Sequence, residues 1–169
     1  MTFTDYIKHG WSAALLKTDD IDALAQDRDG LGPAIGILAI AGACAAIGTL
    51  NGLGIIWMPI VRVIAVFIGV GIMHFVATVF GGKAEFRSTF IPISCASVIT
   101  WVAIIPILGP VVAFLAALWL LVVAVVIVER AHGIDRAKAI MSVLTPVAIF
   151  IVLMLIGLVL GLSLLAVMR

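Results

Sequence analysis

The chain has 169 residues, 64% of them hydrophobic and 11% charged, and a formal net charge of +1; its mean hydropathy is +1.35. Soluble domains carry roughly 25% charged residues, so a water-soluble globule is excluded. Apolar runs of about 20 residues match a hydrocarbon core about 30 Å thick at about 1.5 Å per helical residue, which identifies an all-α integral membrane protein.

Residues 1–31 precede the first long apolar run. Asp5, Asp19, Asp20, Asp22, Asp27 and Asp29 occupy this stretch where a cleavable signal would need a basic start and an apolar core, so the start is expected to be retained. "FTDYIKHGWSAALL" sets Phe3, Tyr6, Ile7, Trp11, Ala14 and Leu15 at helical spacing with Asp5 and His9 opposite. This predicts an amphipathic helix lying on the cytoplasmic leaflet or packing under the bundle. A short helix over "DDIDALAQD" follows, with Thr18 as its expected cap.

Five spans are predicted over about residues 33–50, 55–80, 90–107, 110–128 and 141–168, which makes 1–31 the cytosolic part and 32–169 the membrane domain. "LGP" at 108–110 leaves only a tight turn between the third and fourth. Cytoplasmic segments accumulate Lys and Arg. With the N-terminus inside, Lys8, Lys17, Arg28, Lys83, Arg87, Arg130, Arg136 and Lys138 share the inner side, against Arg62 and Arg169. The N-terminus is therefore expected in the cytoplasm and the C-terminus outside.

The loop "FGGKAEFRSTF" at 80–90 is not a phosphate-binding loop. That pattern needs a glycine and a hydroxyl where this chain has Ala77 and Ala84. Gly81 and Gly82 are expected to end the second helix, with Ser88 or Thr89 opening the third; Gly133 and Asp135 play the same parts in "ERAHGIDRAKAI". Lys83, Arg87, Arg130, Arg136 and Lys138 are candidates for binding anionic lipids or a partner protein. The competing reading takes them as topology signals partly neutralised by Glu85, Glu129 and Asp135.

"FGGKAEFRSTFIPISCASV", "IIPILGP", "LWLLVVAVVIVERAHGIDRAKAI" and "LTPVAIF" together resemble the Yip domain family of small five-span membrane proteins, over about residues 32–165. The resemblance implies an all-helical five-span domain with a cytosolic N-terminus. Eukaryotic members are associated with vesicle traffic and bind small Rab-type GTPases and one another. The short N-terminal arm makes this chain more similar to the compact prokaryotic branch, which implies a plasma (inner) membrane.

Within the spans, Arg62 and His74 are the polar candidates, because intramembrane ionisable groups default to functional hypotheses. Every acidic side chain lies on the inner side, so Arg62 has no carboxylate at its depth; snorkelling to outer phosphates, or bonding to carbonyls freed by Pro59, is its plainer reading. For His74 the plainer reading is a hydrogen-bonded packing residue. Small residues four apart, including Gly42 with Ala46, Gly48 with Gly52, Ala65 with Gly69 and Gly157 with Gly161, suit close helix packing, and the last pair is the best placed for a homo-oligomer. Cys44 and Cys95 lie inside apolar runs and support neither a disulfide framework nor a zinc site. No cofactor, metal or nucleic-acid partner is expected.

No acid–base, nucleophile–base or metal-ligand set appears at useful spacing. The leading expectation is therefore a non-enzymatic membrane scaffold or adaptor presenting a basic cytoplasmic face in membrane organisation or trafficking. The alternative is a small-solute or ion transporter using Arg62, His74 and the proline-bent helices.

Overall fold

The structure is a computed structural model that describes residues 1–167, with side chains described as far as residue 163; Arg169 lies outside them. Helices α1 (Phe3–Ala14) and α2 (Thr18–Gln26) precede α3 (Leu31–Gly48), α4 (Gly54–Val79), α5 (Phe86–Ala96), α6 (Leu108–His132) and α7 (Arg136–Val167). A 3-10 segment, Ser97–Ile104, continues α5. No strand occurs among the described residues. Five units are long and apolar enough to cross a membrane: α3, α4, α5 with its 3-10 extension, α6, and α7 as far as Ser163. The expected five-span, all-α architecture is therefore the observed one. The third and fifth spans begin earlier than their apolar runs, because Phe86–Thr89 and Arg136–Ile140 already hold helical backbone.

The third span sits at the centre. Among the five, 61% of its membrane-spanning window is buried, against 6% for α4 and for α7. Composition agrees with the placement: Thr89, Ser94, Ser97 and Thr100 are all buried in this one span, away from lipid, and of the four only Thr89 reaches a polar group on a neighbouring helix, His132 of α6. Pro92 lies inside α5 and removes one backbone donor. Further on, the Ser97 hydroxyl donates to the Ser94 carbonyl at 2.6 Å and the Thr100 hydroxyl to the Ser97 carbonyl at 2.7 Å. The helix tightens there to the 3-10 form. At about 2.0 Å per residue the eight 3-10 residues reach about 16 Å instead of about 12 Å, so nineteen residues span roughly the full hydrocarbon thickness.

Helices α1 and α2 form a hairpin set into the bundle. Thr2 and Asp5 close a capping box at the start of α1, the Asp5 carboxylate accepting from the Thr2 amide at 2.8 Å. Tyr6 and Ile91 both crowd Gly30, and Gly10 faces the backbone of Cys95, where an added Cβ would stand 2.7 Å from the carbonyl carbon. Four residues along α1 thus match four along α5, so the two run side by side in the same direction. At its far end the Trp119 indole of α6 donates to the Ala14 carbonyl at 2.7 Å, satisfying a helix-terminal acceptor inside the bundle.

Of the two expected placements of the amphipathic start, the structure shows packing against the bundle. Tyr6, Ala13, Ala14, Ile21 and Leu24 join α3, α5 and α6 in one core. Phe3, Trp11 and Leu15, from the same predicted apolar face, stay exposed, because the buried stripe is the one centred on small Gly10 and Ala13. Thr18 also lies in the first turn of α2 and not at its cap, which Lys17 occupies without a side-chain bond.

At the opposite end, the third and fourth spans meet in a tight turn. Leu108 N–H bonds the Pro106 carbonyl at 2.8 Å, and Ile107, at φ 69° and ψ −58°, takes the rarer and strained γ-turn conformation. A Cβ on Gly109 would lie 2.7 Å from the carbonyl oxygens of both Val102 and Ala103, and one on Gly48 would overlap the Ala103 oxygen. Three backbones converge at this end only because two glycines stand there. By contrast nothing lies within 4 Å of the Cβ direction of Gly157. Gly109→Ala is expected to lower stability by about 1–3 kcal/mol through overpacking, whereas Gly157→Ala should be neutral or stabilising by up to about 1 kcal/mol from helix propensity; thermal unfolding in detergent measures both.

Candidate functional site

The loops 80–85 and 133–135 and the open end of the α1–α2 hairpin share one end of the bundle, the charged face. The loops 49–53 and 105–107 share the other, the far face. Local sequence builds the charged face as expected in part. Gly81 adopts φ 93° after α4, Gly133 takes the left-handed conformation that ends α6, and the Asp135 carboxylate accepts from the Lys138 amide at 3.1 Å to cap α7. The expected opening of α5 by Ser88 or Thr89 does not occur. Its cap is Glu85, without a side-chain bond, and Thr89 is buried, turned instead toward α6.

Four of the five cationic candidates are already paired. Arg130 makes a two-pronged contact with Asp22 of α2, its Nε donating to Oδ1 at 3.0 Å. Arg136 Nε donates to Glu129 at 2.9 Å, while Arg87 and Lys138 stand 3.4 Å from Glu85 and Asp135. Among the described residues only Lys83 of the five has no ion-pair partner. The face is a mosaic of both signs. Most of these pairs are well exposed, so each is worth at most about 1 kcal/mol.

The Arg130–Asp22 pair has a further role, because it ties α2 to the end of α6. It acts with Tyr6, whose buried phenol donates to Asp27 at 2.7 Å, and with a contact between His9 and Asp20 that joins α1 to α2. The Arg130 guanidinium holds the Asp22 carboxyl below the usual carboxylate range, and the Tyr6 hydroxyl, followed by the Asp29 amide, does the same for Asp27. Burial, then the Asp27 hydrogen bond, raises the Tyr6 phenol. Spacing alone could not have found these links, since Asp22 and Arg130 are 108 residues apart.

His74 is half-buried where α4 meets α5 and α6. Its ring lies 5.1 Å from that of His132 and 5.8 Å, edge-on, from Phe86. His132 is buried, and its Nε2 lies 3.1 Å from the Thr89 hydroxyl; the Nδ1 atoms of both histidines have no partner. Sequence spacing separates these residues, and only the packing of α4, α5 and α6 unites them. Among the described residues no group of three or more His, Cys, Asp or Glu could hold a metal ion.

Arg62 stands in the far half of the bundle. It lines a cleft of about 290 Å³ with Ala41 and Ala45 of α3, Thr100 and Ala103 of the 3-10 segment, and Ala113 and Ala117 of α6. Its Nε is buried without a hydrogen-bond partner. Of the glycine candidates, Gly42 packs against α4, where its Cβ would fall 2.6 Å from Pro59 Cα, and Gly48 abuts Ala103; Gly69, Gly157 and Gly161 face open space.

A family model described as Yip1 domain matches residues 18–157. No curated protein and no solved structure matches the chain.

The bonds that dock the α1–α2 hairpin predict its pH dependence. Depressed carboxyls at Asp22 and Asp27 contribute stability above the ordinary value of about 4, and that contribution is lost as pH falls through their folded values. The raised Tyr6 phenol contributes fully below its ordinary value of about 10 and loses its contribution as pH rises through the folded one. A spin label at position 8 should therefore be immobile between about pH 4 and 10, and be mobilised only as pH falls below about 4 or rises well beyond 10. Tyr6→Phe should remove the alkaline limb while costing about 1 kcal/mol of docking.

Proposed function

The chain belongs to the Yip1 domain family, and from that premise we propose that it is a non-enzymatic membrane scaffold whose charged face, turned to the cytoplasm, docks a partner protein. The observation that carries this reading is the fastening of α1 and α2 into the bundle. Burial of Tyr6, Ala13, Ile21 and Leu24 against α3, α5 and α6 holds the hairpin in place, the Tyr6–Asp27 bond closes it on itself and Asp22–Arg130 links it to α6, so its exposed residues and the two loops form one fixed surface. A rigid surface binds with little ordering cost. Exposed ions of both signs, with only Lys83 of the five cations uncommitted among the described residues, favour a protein with complementary charges over bulk anionic lipid.

The bias of eight cations to two supports a cytoplasmic placement of this face. Membrane organisation or trafficking is the process such an adaptor would serve. Gly157 and Gly161, on an open face of α7, are the residues this reading assigns to self-association.

The transport reading is less favoured. Arg62 and His74 stand twelve residues apart on α4, about 18 Å along the axis. Between them Val63, Val66 and Val70 pack into the apolar core rather than lining a polar path.

Photo-crosslinking from position 83 in native membranes, followed by affinity capture, tests the proposal. The combined charge reversal Lys83→Glu and Lys138→Glu is expected to reduce capture of the crosslinked partner about tenfold or more, with Arg62→Ala leaving it unchanged. Equal capture by the reversed and parent proteins would sink the adaptor reading.

A further inference from the structure

We propose that the cleft at Arg62 is a binding site for a phosphate-class oxyanion, supplied by the phosphodiester of a lipid in the far-face leaflet or by free phosphate. The argument starts from charge. A guanidinium inside the hydrocarbon region costs several kcal/mol unless something compensates it. Among the described residues none of the nine Asp and Glu side chains forms an ion pair with it; the ion pairs there are made by His9, Arg87, Arg130, Arg136 and Lys138. The Arg62 Nε, buried and unbonded, points to a group that belongs to another molecule.

Shape supports the same conclusion. Small side chains on three neighbouring elements leave about 290 Å³ around the guanidinium, which suits a headgroup-sized ligand and is at the lower limit of pockets for larger solutes. A planar guanidinium fork matches two oxygens of a phosphate. Thr100 adds a hydroxyl to the wall, now donating to the Ser97 carbonyl and free to rotate toward a stronger acceptor.

The cleft also has a way in. Ala41, Thr100 and Ala103 are buried at its back, whereas Val61 is 43% exposed and Ala65 is exposed at its α4 edge. The mouth thus opens sideways between α4 and α6. Val61, Phe114 and Leu118 offer apolar surface beside it on which acyl chains can lie.

The experiment uses the full-length protein purified in mild detergent, with retained phospholipid read by native mass spectrometry and inorganic phosphate titrated calorimetrically into delipidated protein. Arg62→Gln removes the cation, Arg62→Lys keeps the charge without the fork, and Ala117→Leu fills the cleft from the opposite wall with Arg62 intact. Retained phospholipid is expected to fall about tenfold or more in Arg62→Gln and in Ala117→Leu, and less in Arg62→Lys. Lipid retention without phosphate binding identifies the lipid as the source; phosphate binding that both Arg62→Gln and Ala117→Leu abolish identifies the free anion. Retention unchanged in all variants with no phosphate binding overturns the proposal. So does a loss in Arg62→Gln that Ala117→Leu does not share, since the ligand would then sit outside the cleft. Should Arg62→Gln fail to fold, Ala117→Leu and Arg62→Lys decide: unchanged retention in both, without phosphate binding, overturns the site.

Discussion

Lipid offers a polar group no hydrogen-bond partner, and the need for shelter from it orders the structure. It draws the hydroxyl-bearing third span into the middle, where Ser94, Ser97 and Thr100 sit away from lipid. The other spans arrange themselves round it according to how little they need such shelter. α4 and α7 bury least and expose Ile, Leu, Val and Phe along much of their length. The Ser97 and Thr100 hydroxyls then bond backwards to carbonyls within their own helix, and the tighter 3-10 winding gives nineteen residues the reach of a longer span.

A second consequence is that close contact falls to small residues. Lipid is as apolar as leucine, so helices associate through packing. Gly10 lets α1 approach α5, Gly42 lets α3 approach α4, and Gly48 and Gly109 let three backbones meet at the far face. The same logic explains the N-terminal hairpin. Gly10, Ala13 and Ala14 make a narrow stripe that fits between spans, and the Trp119 indole supplies the donor that the end of α1 would otherwise obtain from water.

The charges obey a different rule because they sit where water is available. They pair locally, Arg136 with Glu129 and Lys138 with Asp135, and once at long range, Arg130 with Asp22. Pairing turns what looks like a basic face into a mosaic of both signs, in which Arg130 also links α6 to Asp22 of α2. Arg62 is the contrasting case: a cation deep among alanines, with its Nε unbonded.

Hydropathy and charge are properties of short segments, which is why the five spans, the tight connection between the third and fourth, the glycine stops at Gly81 and Gly133 and the Asp135 cap are legible in the sequence. The turn itself falls at Pro106–Leu108, and Leu108–Pro110 opens α6. Which span is central, where the amphipathic start lies, and which residues meet depend on contacts between segments far apart in the chain. Phe3, Tyr6 and Trp11 share one predicted face, yet only Tyr6 is buried, because α5 and Gly30 select that stripe. His74 gains His132 and Thr89 as neighbours, and Asp22 gains Arg130, only when α4, α5, α6 and α2 pack together. Hydrophobic patterning drives each helix into lipid without specifying its neighbours; steric fit between small residues and the need to satisfy buried polar atoms choose them, and both exist only in three dimensions.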